Sequence, residues 1–124
     1  MQQMLLVMVG GALGAGARFG LGQWATARFA SAFPFATLAI NLLGCFAMGA
    51  LAAWLARGGS DESLRLLLGV GLLGGFTTFS AFSLDWWDLM NRGATGAALV
   101  YVAATVFGAL AAFVMGHFIV RMLP

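Results

Sequence analysis

Residues 64–87 read LRLLLGVGLLGGFTTFSAFSLDWW. A helix rises 1.5 Å per residue, so about 20 mostly apolar residues cross a hydrocarbon layer of roughly 30 Å. This stretch is long enough, and its charges, Arg65 and Asp85, stand toward its two ends. Its middle is poor helix. Gly74 and Gly75 weaken the backbone, and the adjacent Thr77 and Thr78 can divert its hydrogen bonds. The third span is therefore expected to be broken near mid-membrane. Non-helical backbone at that depth persists only when buried in protein or lining an aqueous cavity, and its freed carbonyls are cation ligands, so a bound Na⁺ is one reading.

Working outward, three more stretches meet the same length criterion: residues 4–26, 33–55 and 94–122. With the third span at 64–87 they make an all-α membrane protein of four transmembrane helices in one domain, residues 1–124. The short connections, 27–32, 57–63 and 88–93, suit antiparallel neighbours. Composition agrees: 62% of the 124 residues are hydrophobic and 8% charged, against roughly a quarter charged in soluble domains. A soluble core of this size could not hide so much apolar surface, and lipid must cover the rest. The first span lacks a basic start and exceeds a signal-peptide core, so it reads as a retained helix. Trp24, Trp54, Trp86 and Trp87 fall near span ends, where amphipathic rings suit the headgroup level.

Orientation follows the excess of Lys and Arg in cytoplasmic loops. The side holding the N-terminus carries Arg57, Arg65 and Arg121; the other carries Arg28, Arg92 and, near its end of the first span, Arg18. Without lysine, this near balance predicts insertion both ways and an antiparallel homodimer about a two-fold axis in the membrane plane. Small residues four apart, Gly10 and Gly14, Gly16 and Gly20, Cys45 and Gly49, Gly71 and Gly75, predict close helix packing.

Polar groups inside spans are costly and so informative. Asn41, mid-way along the second span, must find a partner: either a packing hydrogen bond to another helix, or water and an anion in a pore, where a neutral amide replaces hydration without trapping the ion. Phe79 and Phe82, three apart, share a helix face. They form a packing stripe or present positive ring edges to an anion beside the hydroxyls of Ser80 or Thr105. Tyr101 and Thr105 share a face of the fourth span, though a lone threonine more often bonds its own backbone. Arg18 can snorkel or draw anions to a vestibule. His117 reads as an interfacial histidine without a ligand partner, and Cys45 as a small packing residue. The residues show no nucleophile–base pair, phosphate loop, metal-ligand cluster, deep acid or basic stripe. Enzymes, proton-coupled carboxylate exchange and nucleic-acid binding are set aside.

Three motifs carry a resemblance. Gly11, Gly14, Ala15 and Arg18 give G-x-x-G-A-x-x-R. Thr37, Leu38, Asn41, Gly44, Phe46 and Gly49 give TL-x-x-N-x-x-G-x-F-x-x-G. Residues 74–82 give GG-F-TTFS-x-F. Over nearly its whole length the chain resembles the bacterial fluoride channel family known as Fluc or CrcB. The resemblance implies a dual-topology homodimer in the bacterial inner (cytoplasmic) membrane, with two anion pathways lined by both protomers. It places Asn41, Phe79 and Phe82 in the pore, Tyr101 and Thr105 on a hydroxyl track joined by Ser80 and Thr37, and Arg18 at the vestibule. The backbone carbonyls of Gly74 and Thr77 fall where the family holds a structural Na⁺ at the dimer centre. Ala36, Ala81 and Ala109 depart from the pattern, the last leaving the track without its second hydroxyl, while Asp85 stands where glutamate is common.

The function expected is passive, fluoride-selective export that lowers fluoride inside the cell, with fluoride, the bilayer and a second copy as partners. A small multidrug exchanger would need an embedded glutamate where the first span offers Arg18. A non-conducting membrane scaffold would need Asn41, Ser80 and Thr105 facing lipid or sealed packing.

Overall fold

A computed structural model describes residues 1–29, 31–58 and 61–124. Ala30 of the first predicted connection and Gly59 and Ser60 of the second lie outside the described residues. The described residues form helix throughout apart from short connections: α1 Gln2–Arg28, α2 Phe35–Arg57, α3 residues 62–76, α4 Phe79–Asn91 and α5 Thr95–Met122. With α3 and α4 taken as the single span Glu62–Asn91, four helices are long and apolar enough to cross a membrane. The first and third spans run two to four residues beyond the apolar cores at 4–26 and 64–87, the second is shifted two residues along from 33–55, and the fourth starts one residue after 94 and ends as expected at 122.

Local chemistry sets the ends. Pro34 disfavours helix in the residue before it and directly precedes α2. Asp61 accepts from the Ser63 amide at 2.9 Å to start α3, and Arg65 pairs with Glu62 through two bonds of 2.8 and 2.7 Å. Gly93, at φ +73°, closes α4. Its amide bonds the Met90 carbonyl and Ala94's bonds that of Leu89, both at 3.0 Å, a Schellman ending that only a left-handed residue permits at no steric cost.

Two helix pairs pack most extensively, α2 with α5 and α1 with α3. Glycine permits each approach. A side chain at Gly49 would meet the Phe113 carbonyl and one at Gly116 the Phe46 carbonyl; Gly10 and Gly14 sit against the Leu67 and Leu72 carbonyls. Gly71 and Gly75 return the contact from α3, but Gly16 and Gly20 face open space within this chain. Where α1 presses on it, α3 is a π-helix over Arg65–Leu73, with the Gly74 amide reaching back to the Gly69 carbonyl. The aromatic core sits elsewhere: Phe82, Leu89, Ala98 and Tyr101 pack together under Phe33, Leu38 and Trp86.

Little of the apolar surface is hidden inside the chain. On α1 only Gly10, Gly14 and Ala25 are buried among the described residues, so most of the helix needs lipid or another polypeptide as cover.

Candidate functional site

Regular helix stops at Phe76 and resumes at Phe79. Thr77 is extended at φ −76°, ψ 156°, and Thr78 at φ −153°, ψ 121°. Each threonine hydroxyl closes one helix end: Thr77 Oγ1 donates to the Leu73 carbonyl at 2.9 Å, and Thr78 Oγ1 accepts from the Ala81 amide at 3.1 Å.

Asn41, buried on α2, holds the extended pair in place. Its Nδ2 donates to the Thr78 carbonyl at 3.0 Å and its Oδ1 accepts from the Thr78 amide at 2.8 Å. A side-chain amide thus imitates a neighbouring strand, satisfying backbone groups that would otherwise be costly away from water. Two carbonyls lose their usual helical partners. The Thr78 amide, four residues after Gly74, is given to Asn41, and the Ala81 amide, four after Thr77, is given to the Thr78 hydroxyl. The next carbonyl, that of Gly75, accepts from Arg18 Nε at 3.2 Å. Arg18 is thereby anchored on α3 and not simply extended toward water.

Beside this segment lies an open groove of 540 Å³ between α2, the α3–α4 junction and α5. Asn41, Phe79, Phe82 and Thr105 all line it, as do Gly74 and Thr77. No charged side chain stands on its wall among the described residues. Phe79 is 76% exposed, while Phe82, 5.2 Å away between ring centroids, is buried. The N-terminal end of α4 opens at the same place and contributes partial positive charge.

Thr105 is the anomaly. It is 7% exposed, and its Oγ1 is buried without a hydrogen-bond partner. The back-bond to its own helix that a lone threonine usually makes is missing. A buried hydroxyl left unpaired costs free energy, and the residue that carries this one stands on the groove wall.

The remaining expected site residues stand apart. Tyr101 is fully buried behind Phe82, at 5.3 Å between rings, and its hydroxyl donates to Asp85 Oδ2 at 3.1 Å. Ser80 Oγ lies 3.2 Å from Thr78 Oγ1, and neither Ser80, Thr37 nor Tyr101 lines the groove. His117 stacks on Phe113 at 6.5 Å and takes Phe118 edge-on at 6.0 Å. Two contributors are absent from the sequence-based site: Thr78, whose carbonyl accepts from Asn41 and whose amide donates to it, and Cys45, on the groove wall. The TT pair after GG signalled the first; the four-residue spacing from Asn41 could have signalled the second.

Four helices long and apolar enough to cross a membrane, three of them bordering a neutral, donor-bearing groove, define a multi-pass membrane protein. The family described as "CrcB-like protein, Camphor Resistance (CrcB)" matches residues 5–117, and the chain belongs to it. Curated relatives named "Fluoride-specific ion channel FluC" are similar over nearly their full lengths. The one from Sphingopyxis alaskensis is 51% identical, covering 100% of this chain and 99% of its own. That from Novosphingobium aromaticivorans is 50% identical over 93% of each, and that from Rhizobium johnstonii 48% identical over 99% of each.

Proposed function

We propose that this chain is a fluoride-selective channel, not an enzyme, that lets fluoride leave the cell passively and so limits its toxicity. The relatives supply the name of the ion. Within this chain, the observation that carries the reading is the buried, unpartnered Thr105 hydroxyl on the wall of an uncharged groove. Fluoride is small and strongly hydrated, so desolvation must be offset by donors, yet a buried fixed cation would hold the ion too firmly to conduct. A hydroxyl, the second hydrogen of the Asn41 amide and the positive edges of Phe79 and Phe82 meet both requirements.

One chain offers only a side-open groove with Phe79 exposed in it, so a second copy, antiparallel in the bacterial inner membrane, is the natural closure. The extended Thr77 and Thr78 then lie near mid-membrane as a break in the third span. The carbonyls of Gly74 and Thr77, released from their helical partners, are hard oxygen donors that fit a structural Na⁺. In an antiparallel pair, Gly74 and Thr77 of each copy would hold the ion through their backbone carbonyls. When bound, that ion neutralises carbonyl dipoles where the two breaks meet.

The scaffold reading draws support from Asn41, whose amide is engaged in packing as that reading requires. Thr105 opposes it, because it stands on the groove wall with a hydroxyl that has no hydrogen-bond partner. Potassium fluoride and potassium chloride liposomes with valinomycin separate the two. Rapid fluoride loss with chloride retained is expected, and no efflux of either ion from folded protein would leave the scaffold.

A further inference from the structure

The polar track on the groove wall does not stop where α5 loses it. One turn after Thr105, α5 carries Ala109, and one turn after Asn41, α2 carries Cys45; both line the same groove. Residues four apart on a helix share a face, so Cys45 continues the row begun by Asn41 as Ala109 continues the row begun by Thr105. Cys45 is a free thiol, partly exposed. An independent feature marks this groove as one that holds a ligand: the Thr105 hydroxyl, more than nine-tenths buried and without a partner, on the facing wall.

We infer that Cys45 is a pathway residue, its S–H serving as the anion's donor at the level where Ala109 offers none, and that covalent modification of this thiol closes the channel. The inference rests on the fluoride-channel reading and names a further residue of that site. A thiol is a weak donor. It lowers the barrier at that level without making a trap, which suits conduction.

The chain has one cysteine, so a thiol reagent has one target. Ethyl methanethiosulfonate is small and neutral. The thiolate attacks its sulfenyl sulfur, a mixed disulfide forms, methanesulfinate leaves with the electron pair, and the thiol proton goes to buffer. Reconstituted protein is first shown to carry fluoride, then treated, checked by intact mass for one added ethylthio group and by size for an intact assembly, and assayed again. Fluoride efflux is expected to fall at least about tenfold and to recover on reduction with dithiothreitol, with saturating fluoride slowing the modification. Cys45→Ser, a smaller and stronger donor, should resist the reagent and carry fluoride about fivefold faster than Cys45→Ala, the ratio expected for one neutral hydrogen bond. Undiminished efflux from fully modified protein would overturn the inference while leaving the channel standing. So would a folded protein whose thiol stays unmodified under conditions that label it after denaturation. Absence of fluoride efflux before any treatment would instead sink the channel reading itself.

Discussion

Asn41 and Thr105 are both polar residues buried between apolar helices, and the chain treats them oppositely. Asn41 forms two bonds to the backbone of one residue, Thr78; Thr105 has none among the described residues. Their substitutions should therefore separate stability from conduction. Thr105→Val keeps the shape and removes an unpaired buried hydroxyl, so unfolding in detergent should be unchanged or shifted favourably by up to about 1 kcal/mol. Fluoride efflux should fall about tenfold or more, since a hydrogen bond to a charged group contributes roughly 1.5–3 kcal/mol. Equal losses of stability and flux would make Thr105 a packing residue. Asn41→Ala leaves the Thr78 amide and carbonyl without their partner, costing about 1–3 kcal/mol for each group that water does not reach. Lower thermal stability together with lost efflux is expected, whereas a variant of native stability would show that α2 does not hold the extended threonines. The sequence marks Asn41 as a residue in need of a partner, because an amide at that depth must find one. It does not disclose which partner, since that depends on where another helix stops being helical.

At the scale of elements, glycine spacing was readable and its pairing was not. Gly49 and Gly71 with Gly75 pack as small residues at four-residue spacing should. Gly16 and Gly20 follow the same rule, yet a side chain at either would meet open space among the described residues. Spacing measures what a helix face permits; the partner is set by how all the helices cross. The π-helical turns of α3 were likewise illegible, because periodicity of apolar residues does not distinguish i→i+5 from i→i+4 bonding in a segment that is apolar all round. The α2–α5 seam gives the sharpest prediction here. Gly49→Ile drives a branched side chain into the Phe113 backbone, which cannot move as the end of a flexible side chain can. It should cost at least the 1–3 kcal/mol typical of overpacking, seen as lower yield of folded protein and a lower midpoint in a thermal unfolding scan. Gly96→Ala, near the start of α5 with open space around it, is the control. It should raise stability slightly, by up to about 1 kcal/mol, because alanine is the better helix former. Equal midpoints for the two variants would mean that the seam is not as tight as its geometry.

For the whole molecule the open question is what covers the groove and α1. Every arginine outside Arg18 sits at or near a helix end, with Arg57, Arg65 and Arg121 on one side and Arg28 and Arg92 on the other. Arg18 lies within α1, bonded to the Gly75 carbonyl; the loop and helix-end arginines differ by one between the two sides. Arg57 is tied as well, donating to the Val120 carbonyl at 3.0 Å and to that of Leu123, where cations complement a helix C-terminus. If both orientations arise from this near balance, a few added charges should abolish one of them. Gln2→Lys, Gln3→Lys and Gly58→Lys together add three to the side of the N-terminus; Ser31→Lys, Asn91→Lys and Thr95→Lys add three to the opposite side. Each triple variant expressed alone should insert one way, as read by compartment-specific labelling of a terminal tag, and give fluoride efflux near that of empty liposomes. Co-expression should restore efflux, because two oppositely locked copies can pair antiparallel where two identical ones cannot. Full efflux from one locked variant alone would rule out the antiparallel pair, and the groove would then have to be closed by a parallel copy or by lipid.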